Sequence, residues 1–160
     1  MLSSTGEAVI ADLDGAKQYS SLVSAQKFST ISMAVGTPKW MSPEMRKTLS
    51  DDDVDTNLAK SDIFSLGLIA LYCLDTNEFN EKLSPILKEI KEKMPQKELF
   101  IYLQKFEKHL LTYLDDFRLR NVQCPSITKF FYMLKSMLSF SPCARPSIQQ
   151  LYEDFPLLRV

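Results

Sequence analysis

Asp12 follows the apolar run Val9-Ile10-Ala11 and is itself followed by Leu13, Asp14 and Gly15. A carboxylate at the end of a strand is the kind of ligand that a hard cation such as Mg²⁺ requires. Asp-Gly is equally a common turn signal, so the string taken alone fits an ordinary β-turn as well. Further on, Gly36-Thr37-Pro38 places a hydroxyl in a proline turn. Between these two points the stretch 17–35 is rich in Ser and Gln and has little periodicity, which marks a long loop. Ser24, Ser29, Thr30 and Ser32 lie in it; each is a plain loop hydroxyl or a phosphorylation site, where phosphate adds about −1.5 to −2 charge. Glu44 and Arg145, 101 positions apart, read by themselves as two surface charges. Asp62 opens an apolar run, a position where the helix dipole favours an acid. The lone His109 sits beside Leu103, Phe106 and Leu110 with no paired Asp or Cys, so it reads as a surface or boundary residue.

The elements that must position these groups are mostly helices. Residues 7–11 read as one short strand, and the remaining strand content is tiny. A short helix is expected near Pro43, and the acidic run Asp51-Asp52-Asp53-Val54-Asp55 reads as exposed loop. From about Lys60 to Leu74 a helix follows that is apolar nearly all round, the mark of a helix in the middle of a domain. Leu83, Ile86, Leu87, Ile90 and Met94 share one helical face; Ser84-Pro85 starts that helix and Pro95 stops it. Leu99, Leu103, Phe106, Leu110 and Leu114 form the next stripe. Ile127, Phe130, Phe131, Leu134, Met137 and Leu138 form a third, and a last short helix begins near Ser147.

Bulk properties narrow the classes. With 160 residues, the chain is one domain or part of one. Its 45% hydrophobic and 24% charged residues are ordinary for a globular protein. A net charge of −1 gives no support to a nucleic-acid or membrane-surface binder. The apolar stretch Ile63 to Leu74 is too short to span a bilayer, which needs about 20 residues. The N-terminus has neither the basic start nor the apolar core of a signal peptide. Cys73, Cys124 and Cys143 are odd in number and form no C-x-x-C pair, so neither a zinc site nor a disulfide framework is expected. They are expected in core or boundary positions, and a cytoplasmic location fits.

Four segments, in order, resemble the C-terminal lobe of eukaryotic-type protein kinases. Ile10-Ala11-Asp12-Leu13-Asp14-Gly15-Ala16-Lys17 is similar to the family's I-A-D-F-G-x-A-K, and Gly36-Thr37-Pro38-Lys39-Trp40-Met41-Ser42-Pro43-Glu44 to its G-T-x-x-Y/W-M-A-P-E. Lys60-Ser61-Asp62-Ile63-Phe64-Ser65-Leu66-Gly67 looks like the start of its central helix, and Pro142-Cys143-Ala144-Arg145-Pro146-Ser147 like its D-P-x-x-R-P-S. Each is weak alone; their joint order carries the resemblance over nearly the whole chain.

The resemblance implies a mainly α, kinase-like C-lobe fragment over 1–160 with one or two residual short strands. Its parts are an activation segment at 12–44, a central helix at about 60–74, an extra helical segment at about 76–122 and terminal helices at about 126–153. It implies that Asp12 holds the metal bridging the ATP phosphates and that Gly36, Thr37 and Pro38 receive the substrate residue after the phosphorylated one. It also implies that Glu44 and Arg145 form a buried ion pair and that Asp62 anchors the backbone of the catalytic loop. Thr37 and Trp40 point to Ser/Thr specificity, although Lys39-Trp40-Met41 also resembles tyrosine kinases. Two departures stand out: Leu13 replaces Phe, and Asp14 replaces a Gly whose backbone freedom an Asp reaches only with strain. The Gly-rich loop, the V-A-I-K lysine and the H-R-D-x-x-x-x-N loop have no counterpart in these 160 residues. The expectation is therefore a chain that is inactive by itself, whose complete form uses ATP and Mg²⁺ on a protein substrate and packs against the missing N-lobe or an upstream segment. Neither nucleic acid nor membrane is an expected partner. The competing reading is a pseudokinase or non-catalytic interaction module, with the helical segment 80–117 as its docking surface.

Overall fold

The computed structural model describes residues 37–48, 57–90, 94–123 and 125–154. Among them every regular element is helical and no strand occurs, so the mainly α expectation holds. The strand expected at 7–11 lies outside the described residues. A 3-10 turn at Pro38–Trp40 leads into α1 (Pro43–Thr48). Then come α2 (Leu58–Leu74), the single turn α3 (Thr76–Glu78) and a π-helical turn at Phe79–Leu83. The rest is α4 (Ser84–Leu87), α5 (Gln96–Arg120), α6 (Pro125–Met137), a second 3-10 turn at Pro142–Ala144 and α7 (Ile148–Asp154).

Local chemistry sets the boundaries of α2. The Asn57 side chain accepts from the Lys60 amide at 3.1 Å and satisfies one of the orphan donors of the first turn. At the other end Asp75 closes α2 and at once caps the next turn, its side chain accepting from the Glu78 amide at 3.4 Å. In mid-helix Gly67 allows α6 to approach: a Cβ there would lie 3.0 Å from the Leu138 side chain and 3.3 Å from Met137 Cβ.

Ile63, Phe64, Leu68 and Leu71 of α2 are buried, whereas Leu66 and Ile69 are 45% and 44% exposed. Cys73 and Leu74 are exposed as well. The expectation of a helix sunk in the middle of the domain is thus corrected. Only one side of α2 is covered; Asp62, Leu66, Ile69 and Cys73, at i, i+4, i+7 and i+11, form an open stripe.

The helix expected to run to Met94 ends instead at Leu87. Its last turn tightens, with the Lys88 amide bonding both Ser84 and Pro85 carbonyls at 3.2 Å and the Glu89 amide bonding Ile86 O at 3.2 Å. Ile90 is nevertheless buried, and Met94 packs against the same core from irregular chain. The helical period marked which residues go inside, while i→i−3 bonds ended the helix early. Helix α5 buries Leu99, Leu103, Phe106, Leu110 and Leu114 as their spacing predicts, and also Tyr102, Tyr113 and Phe117. The π turn places Phe79 and Leu83 fully inside. Phe64, Phe79, Phe106, Phe131 and their neighbours form one continuous core. Ile63, Met133, Met137 and Leu151 form a smaller cluster under α7.

Candidate functional site

Among the described residues the buried charged groups, Glu44, Arg46 and Arg145, lie where α1, the start of α2 and the second 3-10 turn meet. Arg145 and Glu44, 101 positions apart, form a two-pronged ion pair: Nη1 donates to Oε1 at 2.6 Å and Nη2 to Oε2 at 2.7 Å. The Arg145 side chain is fully buried and that of Glu44 nearly so. Two further donors of the guanidinium are also used. Nε donates to Ser139 O at 2.7 Å, and Nη1 donates to Lys60 O at 2.8 Å. Its plane lies 4.8 Å over the ring of Phe64. In return the Lys60 ammonium donates to the Arg145 carbonyl. A second tie runs beside it, where the Ser42 and Ser61 hydroxyls bond at 2.8 Å, both buried. One guanidinium therefore joins α1, α2 and the chain after α6, with four of its five donors matched to oxygens.

A second buried guanidinium, unforeseen from the sequence, lies close by. Arg46 is 0% exposed, and among the described residues none of its hydrogen-bond partners is a carboxylate. Its Nε donates to Met41 O at 2.9 Å, Nη2 to Lys39 O at 3.1 Å and Nη1 to the Tyr102 hydroxyl. The ring of Phe106 lies 4.8 Å away. Burial pushes the guanidinium down from its ordinary pKa, and burial pushes the Tyr102 hydroxyl up to about 12. Tyr102 thus stays a neutral hydroxyl that accepts from Arg46. The effect is to fix the carbonyls of the 39–41 segment against α5. No sequence signal marked this residue, because α1 is only six residues long and too short to show a periodic face.

On the outer side of the same segment, the Lys39 ammonium sits 4.7 Å from the Trp40 ring and 5.3 Å from each of the Tyr72 and Phe79 rings. The three rings pack mutually, Trp40 stacked on Phe79 and Tyr72 edge-on to both. Thr37 and Pro38 are exposed just before it.

Asp62 lies on the exposed stripe of α2 rather than in the interior. Partial burial still pushes its carboxyl above the usual carboxylate range. His109 is exposed, with Nδ1 in hydrogen-bond contact with Lys105 O at 2.8 Å. Cys73 and Cys143 are exposed, not core residues, and Cys124 lies outside the described residues. Also outside them lie Asp12, Asp14, Ser24, Ser29, Thr30, Ser32 and Gly36. Among the described residues no group of three or more His, Cys, Asp or Glu side chains is arranged to hold a metal ion, and no helix is long and apolar enough to cross a membrane. Compared with protein-family models, curated proteins and solved structures, the chain returns no match.

Proposed function

We propose that this chain is a protein-kinase-like helical lobe whose complete form transfers the ATP γ-phosphate to protein hydroxyls, of the Ser/Thr class. The observation that carries this reading is the buried two-pronged Glu44–Arg145 pair. It joins the two motif strings that the sequence resemblance sets far apart, and it does so at the first turn of α2, where the third string begins. In this reading Asp12 would hold Mg²⁺ through its carboxylate, and the bound ion would supply positive charge against the phosphates. Gly36, Thr37 and Pro38 receive the substrate chain, while Arg46 holds the following carbonyls of Lys39 and Met41 and Arg145 holds Glu44. Ser24, Ser29, Thr30 and Ser32 are candidate phosphorylation sites in the preceding loop. The 160 residues alone are expected to lack phosphotransfer, since base, lysine and second metal ligand act together.

The test is the reading frame upstream of Met1 and its product. An in-frame H-R-D-x-x-x-x-N, with Mg-ATP-dependent labelling of a generic protein substrate that Asp12→Ala abolishes, is the expected result. A longest product that lacks this string and labels nothing refutes the enzyme. The open apolar stripe of Leu66, Ile69 and Cys73 favours one second reading, a non-catalytic pseudokinase or interaction module that docks a protein there.

A further inference from the structure

We propose that Trp40, Tyr72 and Phe79 form a preformed site for a methylated ammonium group, carried by choline or by a trimethyllysine side chain, and that Lys39 is its exchangeable internal occupant. The inference stands apart from the kinase-like reading.

The rings come from three elements, the first 3-10 turn, α2 and the π turn. Trp40 stacks on Phe79 at 5.8 Å, and Tyr72 stands edge-on to both, at 5.7 and 5.5 Å. Phe79 is fully buried and makes the floor, with Tyr113 edge-on to it at 6.5 Å. Trp40 and Tyr72 are half-buried walls. The backbone on either side of Trp40 is pinned, since Arg46 donates to Lys39 O at 3.1 Å and to Met41 O at 2.9 Å. The rings are therefore ordered before a ligand arrives, and little freedom is lost when one binds.

The chain's own lysine marks the place as a cation site. Its ammonium lies 4.7 Å from the Trp40 ring and 5.3 Å from each of the other two, inside the range of about 6 Å for cation–π attraction. A lysine is nevertheless a poor fit here. Its ammonium is strongly hydrated, and burial already weakens its hold on its proton. A quaternary ammonium has no N–H to leave unhydrated, and its methyl groups bring apolar surface to the rings as well as charge, which is why aromatic faces recognise it. Lys39 is half-buried and rides on a flexible four-carbon stem, so it can swing out to water as the ligand enters.

The experiment uses the full 160-residue chain and the fluorescence of Trp40, its single tryptophan. Choline chloride is titrated against sodium chloride at equal ionic strength, with dimethylbutanol as the uncharged carbon isostere. Lys39→Ala empties the site and is expected to bind choline saturably, about two- to fivefold more tightly than the unaltered chain, the range of one exposed cation–π contact. The alcohol should bind about tenfold more weakly than choline. Tyr72→Leu keeps the site apolar and should weaken choline while leaving the alcohol unchanged, a split that mere loosening of the fold does not produce. A peptide with trimethyllysine should bind more tightly than the same peptide with unmodified lysine; whichever of that peptide and choline binds more tightly names the source, and either supports the site. Should Lys39→Ala lose its helical circular-dichroism spectrum, the same titrations of the unaltered chain decide. Equal binding of choline and dimethylbutanol, or no saturable change with choline in a helical chain, overturns the proposal. An affinity for choline unchanged by Lys39→Ala overturns Lys39 as the occupant.

Discussion

Replacing Arg145 with Met should bring the chain close to unfolding, and the size of the effect follows from what the guanidinium touches. It neutralises Glu44, whose side chain is only 8% exposed, and it supplies donors to the carbonyls of Ser139 and Lys60. Removing one partner of a buried pair costs about 3–5 kcal/mol, because the surviving charge is stranded. Two carbonyls that lose a charged donor add about 1 kcal/mol each or more. A domain has about 5–15 kcal/mol in total, so Arg145→Met should remove at least half of the margin of a chain of average stability. Removing both charges in Glu44→Met/Arg145→Met leaves no stranded carboxylate. The double variant should therefore lose much less than the sum of the two single losses, and less than Arg145→Met alone. Urea unfolding followed by circular dichroism at 222 nm and by Trp40 fluorescence measures all four corners of the cycle. A loss below about 1 kcal/mol for Arg145→Met, the range of exposed ion pairs, would show that the pair is solvated and refute the reasoning.

Three further outcomes are expected. Gly67→Ala should destabilise: helix propensity improves by about 1 kcal/mol, but the new Cβ meets Leu138 at 3.0 Å and Met137 at 3.3 Å, and overpacking a core costs about 1–3 kcal/mol; a raised urea midpoint sinks this account. Burial raises the Tyr102 and Tyr113 hydroxyls to about 12, against about 10 in the unfolded chain. As pH rises past 10 the unfolded chain releases protons first, so stability is intact below pH 10 and falls up to about pH 12, by up to about 2–3 kcal/mol for Tyr102 and by less for the more screened Tyr113; the Tyr102→Phe/Tyr113→Phe variant should flatten this limb, and an unchanged limb contradicts it. On the open side of α2, Leu66→Gln with Ile69→Gln should weaken hydrophobic-dye binding while changing stability by less than about 0.5 kcal/mol; a large stability loss would mean that this stripe is packed.

Much of the architecture was legible because it is local. The spacing of Leu99, Leu103, Phe106, Leu110 and Leu114 is that of one helix face, and the structure buries all five on α5. The third stripe behaves alike, with Phe131, Leu134, Met137 and Leu138 buried along α6 and just after it. Periodicity tells which residues seek the interior but not whether the backbone stays helical between them. That is why Ile90 and Met94 reach the core while their helix stops at Leu87. Nor does an all-apolar helix announce how many of its sides find partners: α2 carries the same residue types on its buried and exposed faces, and only packing separates Leu68 from Leu66.

The charged groups divide along the same line. The sequence by itself supplied Glu44 and Arg145 as members of recurring strings, and it determined the helical stripes, the proline stops and the near-neutral charge. It gave no hint of Arg46, whose role depends on carbonyls of residues 39 and 41 and on a hydroxyl 56 positions away. The Lys39 cage is equally unreadable in one dimension, since Trp40, Tyr72 and Phe79 come from three separate elements. Hydrophobic patterning is written in neighbours three or four residues apart. The fate of a charge is decided by whatever distant oxygen or ring the fold brings within about 3 to 6 Å of it, and only the tertiary structure fixes that.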